Sequence, residues 1–419
     1  MSRDWVLVQV AITMGIQIDP KNVVGRDRLI ESVWNMLRRP PEEGSLRFLA
    51  ERRIGKTTII TKMEAEPAEG FDVLFLEVEG IDSCDRLTEL LLNRLRPRMT
   101  PTENAKGWFN GLWQAIGGVE VGGVIKLPDR KVLDWRDTLE KVVEGFCAQR
   151  PDRLVLLMLD ELPYMLQKIN ETSVSTGRPH EALTLLDTFR ALRQRNRNLR
   201  MIFAGSVGLH HVLRDLRQSK LAAEPVNNMP PVEIPPLEDH DALSLAMRLL
   251  QAERVEFASD PEAIARCLIT QTSNVPFYME RIASRLGLLG RPITQQDIES
   301  TVLEQLTSDQ DPWEMEHFRG RLDIYYRGTV TDANDRQIPE PRIARAILDH
   351  FATVDEPQTI DQVWSLIRGQ FALTDRQLIV QMLKSLGQDH YLSCDSQKRY
   401  SFRFPLVKRW WRIAQGLEA

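Results

Sequence analysis

Gly55, Lys56 and Thr57 stand together in the chain, and these are the residue types that phosphate chemistry needs. A glycine lets backbone N–H groups approach a phosphate, a lysine brings a mobile cation to the β and γ oxygens, and a threonine hydroxyl is a ligand for Mg²⁺. The run Arg47 to Ile60, RFLAERRIGKTTII, ends an apolar stretch, makes a short loop and opens a helical pattern. Its candidate nucleotide contacts are Ala50, Arg52, Arg53, Ile54, Gly55, Lys56, Thr57 and Thr58. The positive end of the helix adds to the attraction for an anion. Ala50 stands where the pattern G-x-x-x-x-G-K-S/T has its first glycine, so the start of the loop must hold a Cβ. Taken alone, the triplet is also what a capped helix start looks like.

A second group of residues gives it company. The apolar run Leu154 to Leu159 ends in Asp160 and Glu161, two carboxylates delivered at the C-terminal edge of a strand, where open α/β sheets bind ligands. Asp160 is the candidate Mg²⁺ ligand beside Thr57, and Glu161 the candidate base that orients and deprotonates water. The run Met201 to Ala204 leads through Gly205 into Ser206, which would reach the same edge near a γ-phosphate; alone it would be a helix cap. Arg190, Arg193, Arg195 and Arg197 crowd the preceding helix. They read either as a solvated face or as an arginine finger offered to a neighbouring subunit, with Arg193 or Arg195 as the finger.

These residues need a scaffold, and the rest of the sequence supplies one. Five apolar runs read as strands: 45–49, 73–78, 154–159, 201–204 and 232–234. Helical patterns alternate with them at 28–38, 56–64, 85–95, 135–149 and 182–195, which is the signature of an α/β domain with a mainly parallel sheet. The glycine-rich stretch 117–126 reads as a short hairpin or irregular insertion. Prolines between Pro225 and Pro236 close this core at residue 236. Helical patterns then follow at 239–252, 261–272, 276–289, 294–306 and 313–326, an all-helical region over 237–328. Polar residues at 329–340 read as a linker. From 341, three helical patterns and a strand pair have the order of a winged helix-turn-helix.

Length and composition fit this plan. The 419 residues allow two or three domains, and 42% hydrophobic with 27% charged residues is ordinary for a globular chain. Cys84, Cys147, Cys267 and Cys394 form no C-x-x-C pair, which excludes a zinc ribbon and suits a reducing cytoplasm. The apolar stretch 6–18 is broken by Gln9, Thr13 and Gln17, so we expect neither an export signal nor a membrane span, and a cytoplasmic protein.

The motifs resemble a known group. Val23-Val24-Gly25-Arg26-Asp27 is similar to a V-G-R-E/D box, Glu51 to Thr57 to an x-R-R-x-G-K-T/S phosphate loop, and Ala204-Gly205-Ser206 to a sensor strand. Together they resemble the archaeal-type P-loop ATPases of the STAND branch of AAA+-like proteins, relatives of origin-licensing initiators. Ser273 to Tyr278 is similar to the lid motif G-x-P-F/Y, with serine and asparagine in place of its glycines. The resemblance implies a sheet in the order 5-1-4-3-2, a helical lid and a C-terminal winged helix. It also implies ATP or ADP with Mg²⁺ as ligands, with Val24, Gly25, Arg26 and Pro276 around the adenine. Members of the group are switches, in which nucleotide changes the oligomeric state and a protein effector responds; for this chain a homo-oligomer on ATP binding is expected.

The net charge is -5, so a nucleic-acid partner requires a local basic patch. Residues 341–419 hold 11 basic and 8 acidic residues, which concentrates positive charge at the C-terminal end. Lys398, Arg399, Arg403, Lys408 and Arg409 are the candidate DNA contacts, while Trp410 and Trp411 read as core. The leading functional reading is an ATP-hydrolysing switch, with defence or mobile-element biology as its setting. A nucleotide-dependent DNA-binding regulator and a partner-docking scaffold with a degenerate site stand beside it.

Overall fold

The computed structural model describes residues 20–98, 119–121, 124–126, 134–175, 177, 180–205, 208–217 and 226–417. Contacts divide the chain into two compact units, one reaching Ile234 and one starting at Pro235.

The first unit is an α/β sheet. Its strands are β1 (Leu46–Leu49), β2 (Phe71–Glu77), β3 (Leu154–Asp160), β4 (Leu199–Gly205) and β5 (Pro231–Glu233), one for each apolar run noted in the sequence. They lie in the order β2-β3-β4-β1-β5, with every neighbouring pair parallel. The central strands β3 and β4 are buried along almost their whole length, which is why they read as unbroken apolar runs rather than alternating ones. A separate hairpin, Val119–Val121 with Val124–Lys126, lies in the stretch where the sequence suggested one.

Helices α1 (Asp27–Leu37), α2 (Lys56–Ala65), α3 (Cys84–Leu95), α4 (Trp135–Ala148), α5 (Leu162–Ser175), α6 (Glu181–Arg195) and α7 (Leu209–Arg217) accompany the strands. Two of them, α5 and α7, were not among the expected elements. In α5 a proline sits in the first turn, where its missing N–H costs nothing, and Leu162, Met165, Leu166 and Ile169 form the buried stripe behind it. That proline also meets the end of β4. A Cβ on Gly205 would lie 2.4 Å from Pro163 Cδ, so only glycine lets the strand end and the helix approach this closely.

Among the described residues, the two open edges of the sheet are guarded in different ways. Residues 71, 73 and 75 of β2 face away from β3, and their backbone groups are met by side chains. Arg153 donates to the Phe71 carbonyl, Arg98 to the Val73 carbonyl, and the Phe75 N–H donates to Glu64 Oε1. An edge so covered offers no ladder to another strand. At the other edge β5 is three residues long and begins at a proline. Inside, the buried Arg200 of β4 donates to the carbonyls of Leu37 and Arg39, closing the C-terminal end of α1.

The second unit opens with helices α8 (Asp239–Ala252), α9 (Pro261–Gln271), α10 (Pro276–Gly287), α11 (Gln295–Thr307) and α12 (Glu316–Tyr325). Thr294 and Asp297 form a reciprocal capping box at the start of α11, as their spacing suggested. The segment 329–340, expected to be a linker, is instead a hairpin of β6 (Thr329–Thr331) and β7 (Gln337–Pro339). Helices α13 (Glu340–Thr353), α14 (Ile360–Phe371) and α15 (Arg376–Gln388) follow, with the short β8 (Gln358–Thr359) between the first two. Strands β9 (Leu392–Cys394) and β10 (Arg399–Phe402) join β8 in a three-stranded sheet before α16 (Pro405–Gln415).

The two hairpin turns use the same chemistry. Asp332 and Asp395 each accept the backbone N–H groups two and four residues on, and each holds the Nε of an arginine four residues on, Arg336 and Arg399. Trp410 and Trp411 are buried core residues, and the Trp411 indole N–H donates to Asp349 Oδ1 at 2.8 Å. Among the described residues, no helix is long and apolar enough to cross a membrane.

Because Gly205 has no space for a side chain, Gly205→Ala should destabilise the protein by about 1–3 kcal/mol, the usual cost of overpacking. Urea or thermal unfolding measures this, and an unchanged midpoint would mean that α5 moves freely against β4.

Candidate nucleotide-binding site

The strand order brings the two chemical groups of the sequence to one edge. Strand β4 lies between β1 and β3, with Leu49 opposite Gly205 and Leu159 opposite Phe203, so the residues after β1 and β3 emerge on either side of the end of β4. With neighbouring strands about 4.8 Å apart, those ends stand about 10 Å from one another. Lysine is long enough to bridge much of that gap. Lys56 Nζ lies 2.5 Å from Glu161 Oε1 and 2.9 Å from Asp160 Oδ1, with Lys56 and Asp160 both buried. The Thr57 hydroxyl donates to Asp160 Oδ2 at 2.7 Å.

The loop between β1 and α2 is shaped by two left-handed residues. Arg53 has φ +72° and Gly55 has φ +96°, flanking Ile54. A Cβ on Gly55 would touch nothing closer than 4.0 Å, so its backbone angle and not crowding is what asks for glycine. Ala50 is buried at the end of β1, and there the core accepts its methyl group. Ile54 is buried as well, while Arg52 is exposed and Arg53 and Thr58 are half-buried. Glu51, a residue that the sequence did not single out, is buried, and its Oε1 accepts the Arg52 N–H at 2.7 Å. Its signal was only a carboxylate set among arginines.

The acidic end of β3 is also strained. Glu161 has φ +58°, an uncommon angle for a residue with a side chain, and its N–H donates to Asp160 Oδ1 at 3.0 Å. Its carbonyl accepts the Met165 N–H, so the strained residue is also the point at which α5 starts. The structure therefore brings Lys56, Thr57, Asp160 and Glu161 into one cluster. Two hard oxygen donors, the Thr57 hydroxyl and the Asp160 carboxylate, already touch one another, a donor set that fits Mg²⁺.

Other expected residues lie elsewhere. Ser206 falls outside the described residues, next to Gly205. Arg193 is buried on α6, and burial, helped by the neighbouring Arg190 charge, pulls its guanidinium down to about 10. The residue expected as a finger is thus enclosed within its own unit. Arg195 is half exposed but binds Glu140 at 2.6 Å and Glu144 at 3.1 Å, tying α6 to α4. Val24 and Gly25 are half-buried ahead of α1, and Arg26 is buried with its NH2 donating to the Ile54 carbonyl at 3.0 Å. Pro276 begins α10 in the second unit.

Most of the candidate DNA contacts have intramolecular work. Arg399 closes the turn on Asp395, Lys408 binds Asp355 and the Val354 carbonyl, and Arg409 donates to Gln271 Oε1. The Arg403 guanidinium lies over the Phe404 ring, and Lys398 is exposed at the tip of the hairpin. The partners that hold Arg409 and Lys408 lie 138 and 53 residues away, beyond any local pattern.

No protein-family profile matches the sequence. No curated protein matches it either. Solved structures do. A Walker-type ATPase of Pyrococcus abyssi superposes with a TM-score of 0.60 at 16% identity, over 94% of this chain and 97% of that one. The ADP form of the ORC2 protein of Aeropyrum pernix matches at a TM-score of 0.43 and 14% identity, over 94% and 95% of the two chains. The RuvB Holliday junction branch migration motor of Thermotoga maritima matches at 0.36 and 11%, over 94% and 96%. At these identities the likeness is one of fold, and it is carried by the first of the three: this chain shares the α/β fold with a parallel five-stranded sheet of a Walker-type ATPase.

Proposed function

We propose that this protein binds and hydrolyses ATP, as an AAA+-like switch of the STAND kind. The observation that carries the reading is the cluster at the sheet edge, where Lys56 touches both Asp160 and Glu161 and Thr57 touches Asp160. In this reading Lys56 exchanges its carboxylate contacts for the β and γ oxygens of ATP, and the N–H groups of the loop and of the first turn of α2 hold the phosphates. Thr57 and Asp160 would hold Mg²⁺, which would supply neutralising charge to the phosphates. Glu161, with its side chain a quarter exposed, orients a water and takes its proton.

The remaining parts extend the same reading. A core ending near residue 236, a helical lid over 237–328 with Pro276 near the adenine, and a winged helix-turn-helix from 341 make a three-part switch. The helix order of α13, α14 and α15 followed by the β9–β10 pair supports the last of these. Homo-oligomerisation on ATP binding and control of a protein effector in the cytoplasm complete it.

A second reading, DNA contact through the C-terminal part, is favoured by one surface. Gln377, Gln381, Lys384 and Gln388 are exposed along one face of α15, a helix without an acidic residue, and Lys398 is exposed on the hairpin. Neutral amides and two cations predict weak, salt-sensitive binding.

Three outcomes test this. Lys56→Ala should weaken ATP binding about 10- to 100-fold, the effect of roughly 1.5–3 kcal/mol for a hydrogen bond to a charged group, measured by calorimetry. Glu161→Gln should bind ATP as the unaltered protein does while turnover falls about 10²- to 10⁴-fold; an undiminished ATPase rate would remove Glu161 from the role of base. Gel-shift titration across salt should show DNA affinity falling as salt rises, and affinity that ignores salt would exclude the DNA reading.

A further inference from the structure

The family resemblance sets Arg26 at the adenine, and in the structure its side chain reaches the phosphate loop. Its guanidinium is enclosed in the first unit and donates to the carbonyl of Ile54, the residue directly before Gly55. A peptide unit is planar and trans, so its C=O and its N–H point to opposite sides. Holding the Ile54 carbonyl toward Arg26 therefore turns the Gly55 N–H away from Arg26. Arg53 and Gly55, on either side of Ile54, take left-handed angles, and the Ile54 N–H donates back to the Glu51 carbonyl, which fixes the turn around this peptide.

The hold is made at both ends. Lys62 of α2 donates to the Pro20 carbonyl at 3.1 Å and lies 3.7 Å from Asp27, so the segment 20–27 is fastened to the helix that follows the loop as well as to the loop itself. The Ile54 side chain is itself buried, which anchors the same residue in the core.

We propose that Arg26 is a positioning residue of the phosphate loop: through the Ile54 carbonyl it aims the Gly55 N–H at the phosphate chain of the nucleotide. The proposal rests on the nucleotide reading above and assigns Arg26 to the phosphate end of the ligand, not to its base.

Calorimetric titration of the full chain with Mg-ATP and with Mg-tripolyphosphate, which has no base, separates the two assignments. Arg26→Ala should weaken both ligands by the same factor, about tenfold, or roughly 1.4 kcal/mol. Arg26→Lys, which keeps a cation able to reach one carbonyl and guards against a folding defect in the alanine variant, should recover part of the loss for both ligands equally. Loss of ATP affinity with tripolyphosphate binding unchanged, in either variant, would place Arg26 at the adenine and overturn the proposal. Unchanged binding of both ligands by Arg26→Ala would leave Arg26 without a part in the loop. Failure of the unaltered protein to bind either ligand would strike at the nucleotide reading itself, a result distinct from any difference between variants.

Discussion

A lysine ammonium enclosed by protein and held by two carboxylates is the contact around which the first unit is arranged. A buried charge without a partner is costly, and here the partners come from a different strand, with β4 between. For Lys56 to reach Asp160 and Glu161, β1 and β3 must end at the same edge, and β4 must stop without a side chain in the way. The parallel sheet provides the first condition, and Gly205 at the end of β4 lets Pro163 of α5 pack directly against that strand. The strained angle at Glu161 and the helix that begins directly after it follow from the same geometry.

The surrounding arginines show how a sheet can be kept to five strands. On β2 the outward carbonyls are occupied by Arg98 and Arg153, and inside the sheet Arg200 takes the free carbonyls at the end of α1. A guanidinium suits both tasks because it presents several donors in a fixed plane. These residues look like surface charge in the sequence and are backbone caps in the fold.

That difference marks what could be read in advance. The five strands, the phosphate loop and the acidic pair were legible because each is written in consecutive residues: an apolar run, a G-K-T triplet, an Asp-Glu step. Helix α5 was not among the elements read from the sequence; it starts directly after Glu161 and carries Pro163 in its first turn, where a proline is tolerated. The hairpin at 329–339 was read as a linker because its strands are only three residues each and polar on one face. The role of Arg26, the burial of Arg193 and the ion pairs of Arg195 and Lys408 were not legible at all. Each depends on a partner far away in the chain, and a residue type alone does not say whether its charge meets solvent, a carboxylate or a carbonyl.

The central claim is that the edge holding Lys56, Thr57, Asp160 and Glu161 receives the phosphates of ATP. A crystal structure with Mg²⁺ and a non-hydrolysable ATP analogue tests it directly. The β and γ phosphates are expected over the 50–57 loop, with Lys56 Nζ on their oxygens instead of on Glu161, and the Ile54 carbonyl still on Arg26. An analogue bound elsewhere, with Lys56 still on both carboxylates, would contradict it.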